Sequence, residues 1–246
     1  MMIPLLSKYS TKKEIYQNVN EIRQYMGLNK GSVYPLNSVQ LATSFCKNLT
    51  INKINFETTD ICGILYKGEN TTSIALNESR TEEQQNFDCA HELIHYFFHD
   101  ISFCKCVCSE KKIIEQERSI EYQANEGSAE LLVPYELILP EIKKARPSLK
   151  AWHDFHKFKF NMSLMFNVTD IVISFRLESL KYEIMQYLNG TSINNLKILS
   201  NTQQTKMGIK CTSFNDIELE HFDEELRKFK LRHRTSYETN RLIDIC

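Results

Sequence analysis

The sequence predicts an α+β fold in which a small antiparallel sheet precedes a mostly helical C-terminal half. Two observations support this prediction. Three short strand-like segments follow one another between residues 49 and 77, and turn-forming clusters separate them. From residue 81 onward, apolar residues recur at helical spacing. The length of 246 residues is enough for one large domain or for a domain with an appendage.

Two helices are predicted ahead of the sheet. Thr11 and Glu14 form a capping box for the first helix, and Gly27 can end it. The apolar stripe of this helix consists of Ile15, Val19, Ile22 and Met26. A second, shorter helix follows Pro35.

The sheet is assigned to "LTINKINF", "CGILYKG" and "TSIALN", which the turn signals "ETTD" and "KGENTT" separate. The segment "TSIALN" leads straight into the next helix. We therefore expect it to be an exposed edge strand, to which an extended peptide could add as a further strand.

The helical half begins after Thr81, which can cap a helix together with Gln84. A second helix is predicted from about Ile113 to Val133, where Pro134 ends it. Two more helices are expected before about Lys181, and a charged helix is expected in "FNDIELEHFDEELRKFKLRHR". We divide the chain into a domain of residues 1–189 and a C-terminal extension of residues 190–246, whose role the sequence leaves open.

Composition excludes several classes of protein. The net charge of −1 gives no overall field toward nucleic acid, and the basic run "RKFKLRHR" has acidic neighbours, so direct nucleic-acid binding is not expected. No apolar run reaches the ~18 residues of a membrane span, and no signal peptide is evident. We expect a cytoplasmic protein with reduced thiols. For Cys104, Cys106 and Cys108, a loop cluster without a ligand is favoured over a metal or redox role.

The stretch "CAHELIHYFFHD" carries the strongest chemical signal. On a helix, His91 and His95 lie one turn apart and can share one Zn²⁺. Glu92, next to the first histidine, would take a proton from zinc-bound water and pass it to the leaving amine. His99 continues the same face, and we interpret it as a polar or supporting residue rather than a ligand.

A third zinc ligand is predicted on the following helix, "EQERSIEYQANEGSAELLVP". Glu121 and Asn125 are four residues apart and share a face, beside small residues that allow close helix packing. We assign Glu121 as the metal ligand. Asn125 would bond the far nitrogen of a ligating histidine and fix its tautomer. The sequence does not rank the candidate oxyanion donors, which are Tyr122, Tyr135, His153 and His156.

These motifs resemble the ImmA/IrrE-type metallopeptidases, a zincin family. The resemblance rests on "NFDCAHELIHYFFH" and "EYQANEGSAELLVP", and it extends over about residues 12–182. It also includes "MFNVTDIVISFRLESL", which is similar to the helix-turn-helix-like segment that closes such domains, here at about residues 160–182. Two residues depart from the usual pattern of the family: Ile94 stands where glycine is common, and Gly127 stands where an aromatic residue is common. Because one side chain is larger than usual and the other is smaller, we hypothesise that they face each other.

The resemblance implies a zinc-dependent endopeptidase that cleaves a helix-turn-helix repressor of a phage or mobile element, encoded nearby. Two alternatives stay open. The first is a non-proteolytic regulator that binds a repressor or DNA and in which zinc is structural. The second is a toxin-type or defence-type protease with another cytosolic target. Glu92 favours a protease, because a structural zinc site needs ligands but no base.

Overall fold

The structure is a computed structural model, and it describes residues 5–7, 9–28, 34–57, 61–68, 71–99, 105–109 and 118–243. Within these ranges, the side chains of residues 105–109 and 231–243 are not described. The fold is α+β, as predicted. The strands are β1 (Leu49–Ile54), β2 (Ile61–Lys67), β3 (Thr72–Asn77) and β4 (Lys105–Ser109). The helices are α1 (Lys12–Tyr25), α2 (Ser38–Phe45), α3 (Glu82–Phe98), α4 (Arg118–Leu132), α5 (Tyr135–Ala145), α6 (Trp152–Phe166), α7 (Asp170–Ser179), α8 (Lys181–Leu188), α9 (Asn201–Lys206) and α10 (Phe214–Ile243).

The four strands form one mixed sheet in the order β1-β3-β2-β4. β2 pairs antiparallel with β3 and β4, whereas β1 pairs parallel with β3, so the sheet is not wholly antiparallel. The expectation that "TSIALN" is an edge strand is wrong, because β3 lies between β1 and β2. A strand that directly precedes α3 in the sequence can still be central in the sheet, since strand order depends on long-range pairing.

α3 runs between the sheet and the helical half, and it is buried on both sides. Cys89 and Leu93 pack against sheet residues such as Leu65 and Ile74. Ala90, Ile94 and Phe98 belong instead to the larger core, which α1, α4, α5, α6 and α7 complete. A helix that is enclosed in this way holds its side chains in fixed positions.

The expected helix ends agree with the structure at several points. The Thr11 capping box is formed, and Gly27 follows α1 with a φ of +66°. Thr81 and Gln84 form the capping box of α3. Three helices, α5, α6 and α7, lie between Pro134 and Lys181 where two were predicted, and short 3₁₀ helices occur at Arg146–Ser148 and Ile193–Asn195. The turn of residues 167–169 joins α6 to α7.

Arg176 on α7 is buried at the centre of an ionic cluster. It donates to Glu126 Oε1 at 3.0 Å, to Glu130, to the Tyr16 hydroxyl and to the carbonyl of Val133. The cluster therefore ties α7 to α1 and α4. A buried guanidinium is tolerated only with such a complete set of partners.

Residues after 189 pack directly on the preceding helices. Lys197 and Gln186 exchange two hydrogen bonds at 2.9 and 3.0 Å, and Leu199 N–H donates to Glu183 Oε1 at 3.0 Å. Phe214, at the start of α10, packs on Phe155 of α6 with ring centroids 5.9 Å apart. The division at residue 189 and the role of the extension stay predictions. In the described ranges, no helix is both long and apolar enough to cross a membrane.

Candidate metal centre and active site

Two helices bring three metal-ligand side chains to one point. His91 and His95 lie one turn apart on α3, with their Nε2 atoms 3.0 Å apart. Glu121, in the first turn of α4, places its carboxylate oxygens 3.2 Å from His91 Nε2 and 3.4 Å from His95 Nε2. Donor atoms of all three residues lie within 4.8 Å of one another, and no other such cluster of three occurs among the residues that the structure describes.

Close packing of α3 on α4 makes this meeting possible. A Cβ on Gly127 would lie only 3.0 Å from Ile94 Cγ2, so these two residues face each other, as we hypothesised from the sequence. Ala90 and Ala124 are also fully buried in the same core. The large side chain of Ile94 on α3 thus packs against Gly127 on α4, which has no side chain.

The far nitrogens of both histidines are also engaged. Asn125 Oδ1 lies 3.0 Å from His91 Nδ1, which is the contact predicted for this asparagine. His95 Nδ1 lies 2.9 Å from His99 Nδ1. His99 Nε2 in turn lies 3.0 Å from Gln123 Oε1. In each imidazole of the pair His91 and His95, Nε2 is the nitrogen that faces Glu121.

Glu92 has an unusual environment for an acid. It is 0 % exposed, and neither of its carboxylate oxygens has a hydrogen-bond partner within the described part of the chain. Burial raises the pKa of Glu92 from 4.5 to about 8, although the charge of His91 opposes this rise. A strongly perturbed acid beside possible ligands is typical of a catalytic group.

Gly63 on β2 provides the space for Glu92. A Cβ at residue 63 would lie 3.2 Å from Glu92 Oε1 and 3.3 Å from its Cγ. Glycine therefore lets the strand approach the acid closely, next to an irregularity in the β2–β4 pairing. This role of Gly63 was not predicted from the sequence, where a glycine inside a predicted strand was the available signal.

The surroundings of Glu121 in the three-residue cluster favour the ionised form of its side chain. Burial alone would raise the pKa of Glu121, but the His91 and His95 imidazoles beside its carboxylate hold it well below its usual range. Burial lowers the pKa of His95. Burial also acts to lower the pKa of His91, but Glu121 and Glu92 outweigh it and raise that pKa. Glu121 is thus an anion at neutral pH, ready to bind a cation.

A cavity of about 500 Å³ lies between α3, α4 and α7, and Asn125, which contacts His91, is among its lining residues. Its walls include Asn125, Tyr122, Phe87 and the exposed side chains of Ile171 and Phe175. Of the candidate oxyanion donors, Tyr122 follows Glu121 directly and lines this cavity.

The other three candidate donors lie in different surroundings. Tyr135 stacks on Tyr16, His153 is mostly exposed and pairs with Asp154, and His156 lies beside Trp152. The thiols of Cys104, Cys106 and Cys108 lie outside the described side chains. Cys106 and Cys108 are known only as backbone positions on β4.

The fold and the site together define a class of protein, the metallopeptidases in which a helix carrying two histidines and a glutamate packs beneath a small sheet. Within that class, residues 46–178 match the family model of the IrrE N-terminal-like domain, Peptidase M78, and the chain belongs to this family. The chain is therefore a metallopeptidase by family, as the resemblance implied. No curated protein matches the chain significantly.

Proposed function

We propose that the protein is a zinc-dependent endopeptidase in which His91, His95 and Glu121 hold Zn²⁺ and Glu92 is the general base. The observation that carries this proposal is the convergence of the three donors within 4.8 Å, with Glu92 next to them. The role of Asn125 is to hold the His91 imidazole through its Nδ1.

The donor set fits zinc. Two imidazole nitrogens and one carboxylate make a common set for catalytic zinc. Ligand atoms at about 2.0–2.1 Å from a tetrahedral ion lie about 3.3 Å apart. The observed separations of 3.0, 3.2 and 3.4 Å agree with that spacing. When bound, Zn²⁺ would supply a Lewis acid that polarises the scissile carbonyl and lowers the pKa of water.

The residues of the chain supply the proton chemistry. Glu92 stands in a buried position where its carboxylate has no other partner among the described residues. A cation next to it would lower its pKa, so that Glu92 is ionised at neutral pH and can accept a proton. The same carboxyl then delivers that proton to the nitrogen of the leaving amine. The cavity lined by Asn125 and Tyr122 is the proposed binding place for substrate side chains.

The proposed substrate is a helix-turn-helix repressor of a phage or mobile element, encoded nearby, and the proposed setting is the cytoplasm. Support for this substrate comes from the family resemblance. A structural role for zinc in a non-proteolytic regulator would not require a buried, unpartnered acid beside the ligands. A protease with another cytosolic target would have the same site, and only an assay with the repressor itself separates the two.

The test of the site is the amount of zinc bound per chain in the purified protein. We expect one zinc in the wild type and in Glu92→Gln, and a loss of zinc in Glu121→Ala. Glu220→Ala, which removes an exposed carboxylate on α10, is the matched control. If Glu121→Ala binds zinc as fully as the wild type, the third ligand is misassigned.

The test of the activity is cleavage of the repressor encoded closest to the gene, followed by mass spectrometry. The wild type should produce two fragments, and Glu92→Gln, although loaded with zinc, should produce none within the same period. Binding of the repressor without cleavage by the loaded wild type would instead establish the regulator.

A further inference from the structure

A chain of four groups leads away from His95 on the side opposite to Glu121. His95 Nδ1 contacts His99 Nδ1 at 2.9 Å, and His99 Nε2 contacts Gln123 Oε1 at 3.0 Å. Gln123 Nε2 donates to the backbone carbonyl of Ser7 at 2.7 Å. We name these four groups the histidine relay. Ser7 lies outside the residues that match the family model.

The polarity of the relay follows from its last member. The carbonyl of Ser7 can only accept, so Gln123 turns its amide nitrogen toward Ser7 and its oxygen toward His99. That oxygen can only accept, so His99 must carry a proton on Nε2. His99 is buried and its two nitrogens face an imidazole and an amide, so its ring is neutral and its Nδ1 has a free lone pair. The proton between the two histidines therefore belongs to His95 Nδ1.

We infer that His99 and Gln123 are positioning residues that hold His95 in the tautomer with its proton on Nδ1, which leaves the Nε2 lone pair directed at the metal. The inference rests on the proposed zinc site. A backbone carbonyl sets the direction of every hydrogen bond in the relay, because a carbonyl cannot reverse its role. Water is a poor substitute, since His95, His99 and Gln123 are 1 %, 8 % and 1 % exposed.

The two histidine ligands are therefore supported differently. His91 has a single side-chain partner at Nδ1, Asn125 on α4. His95 depends on three further groups, which come from the end of α3, from α4 and from the segment ahead of α1. Docking of that N-terminal segment is thus coupled to the orientation of a metal ligand. Its Leu6 N–H also donates to the Phe98 carbonyl at 3.0 Å.

The direct test is the tautomeric state of the histidines in the metal-free full chain at about pH 8. Long-range ¹H–¹⁵N correlation spectra of protein with labelled histidine distinguish Nδ1–H from Nε2–H, and the chain has only seven histidines to assign. We expect His95 with its proton on Nδ1 and His99 with its proton on Nε2. A proton on Nε2 of His95 in the wild type would overturn the inference.

Variants test the link to the metal, with Zn²⁺ alone as the probe and a chelating dye as competitor. Gln123→Met removes the acceptor for His99, and we expect a mixture of His95 tautomers and a 10–100-fold loss of zinc affinity. Gln204→Met is the matched control, because Gln204 is equally buried and also donates to a backbone carbonyl.

The outcomes separate the two proposals. If Gln123→Met folds and binds zinc as tightly as the wild type, the relay does not position the ligand. If the wild type binds no zinc but His95 carries its proton on Nδ1, the relay stands and the zinc proposal fails.

Discussion

Replacing Glu92 with glutamine should stabilise the metal-free protein increasingly as the pH rises. Glu92 is fully buried, and its pKa is raised by burial from 4.5 to about 8. Glutamine has nearly the same shape but no proton to lose. The difference in the free energy of unfolding between the two proteins therefore isolates the ionisation of this single group.

The sign follows from the two pKa values. Below pH 4.5 the carboxyl group is protonated in both the folded and the unfolded chain, so ionisation contributes nothing. Between pH 4.5 and about 8 the unfolded chain releases the proton while the folded chain keeps it, so stability falls as the pH rises. Above pH 8 both states are ionised and the full penalty is present. At about 1.4 kcal/mol per pKa unit, the change between pH 5 and pH 8 is about 3.5 kcal/mol.

Urea unfolding of the metal-free proteins at pH 5, 6, 7 and 8, with a chelator and a reductant present, measures this difference. The amide introduced by Glu92→Gln can shift the whole curve, because it brings two donors into a buried position, but that shift is independent of pH. The slope is the informative quantity. Glu220→Gln, at an exposed position, should run parallel to the wild type. Parallel curves for the wild type and Glu92→Gln would show that Glu92 is not a buried acid with a raised pKa.

Four further substitutions test the packing of the site and of the surrounding scaffold. Gly63→Ala would place a Cβ against the Glu92 carboxylate, and we expect a roughly tenfold to hundredfold loss of kcat/KM with the zinc content unchanged; full activity would mean that the strand can give way. Arg176→Met leaves two buried carboxylates without their cation, and urea unfolding should show a loss of about 3–5 kcal/mol; a loss below about 1 kcal/mol would contradict this expectation. Gly127→Ala should lower stability by about 1–3 kcal/mol despite its better helix propensity. Ile94→Val in the same chain should recover part of that loss, and simple additivity of the two changes would refute the contact.

Local signals in the sequence were enough to predict α1, α3 and α4 and to suggest which of their side chains share a face. Thr81 and Gln84 marked the start of α3, and the spacing of His91 and His95 placed both imidazoles on one face of it. The sequence of α4 was sufficient to suggest Glu121, because its carboxylate and the amide of Asn125, four residues apart, share a face of the helix. Those inferences needed only the period of the helix, which is a local property.

The order of the strands and the burial of charged side chains could not be predicted from local patterns in the sequence. Strand β1 pairs parallel with β3, and nothing within either segment specifies a partner that lies about 20 residues away. Arg176 looks like a surface charge in a short helix, and only the tertiary fold surrounds it with Glu126 and Glu130. Gln123 is likewise an ordinary polar residue until the fold brings it to His99.

Two of the buried groups of charged and polar side chains among the described residues differ in a way that bears on function. Around Arg176, the guanidinium donates to carboxylates, to a hydroxyl and to a carbonyl, so the charge is satisfied within the chain. Around His91, two Nε2 atoms and a carboxylate converge, and both oxygens of Glu92 lack a partner among the described residues. An arrangement of the second kind is unfavourable for the folded chain alone, because burial penalises the ionised acid and the charge of His91 offsets only part of the penalty. A cation would offset it, which is the physical reason to regard the second group as a binding site and the first as part of the scaffold.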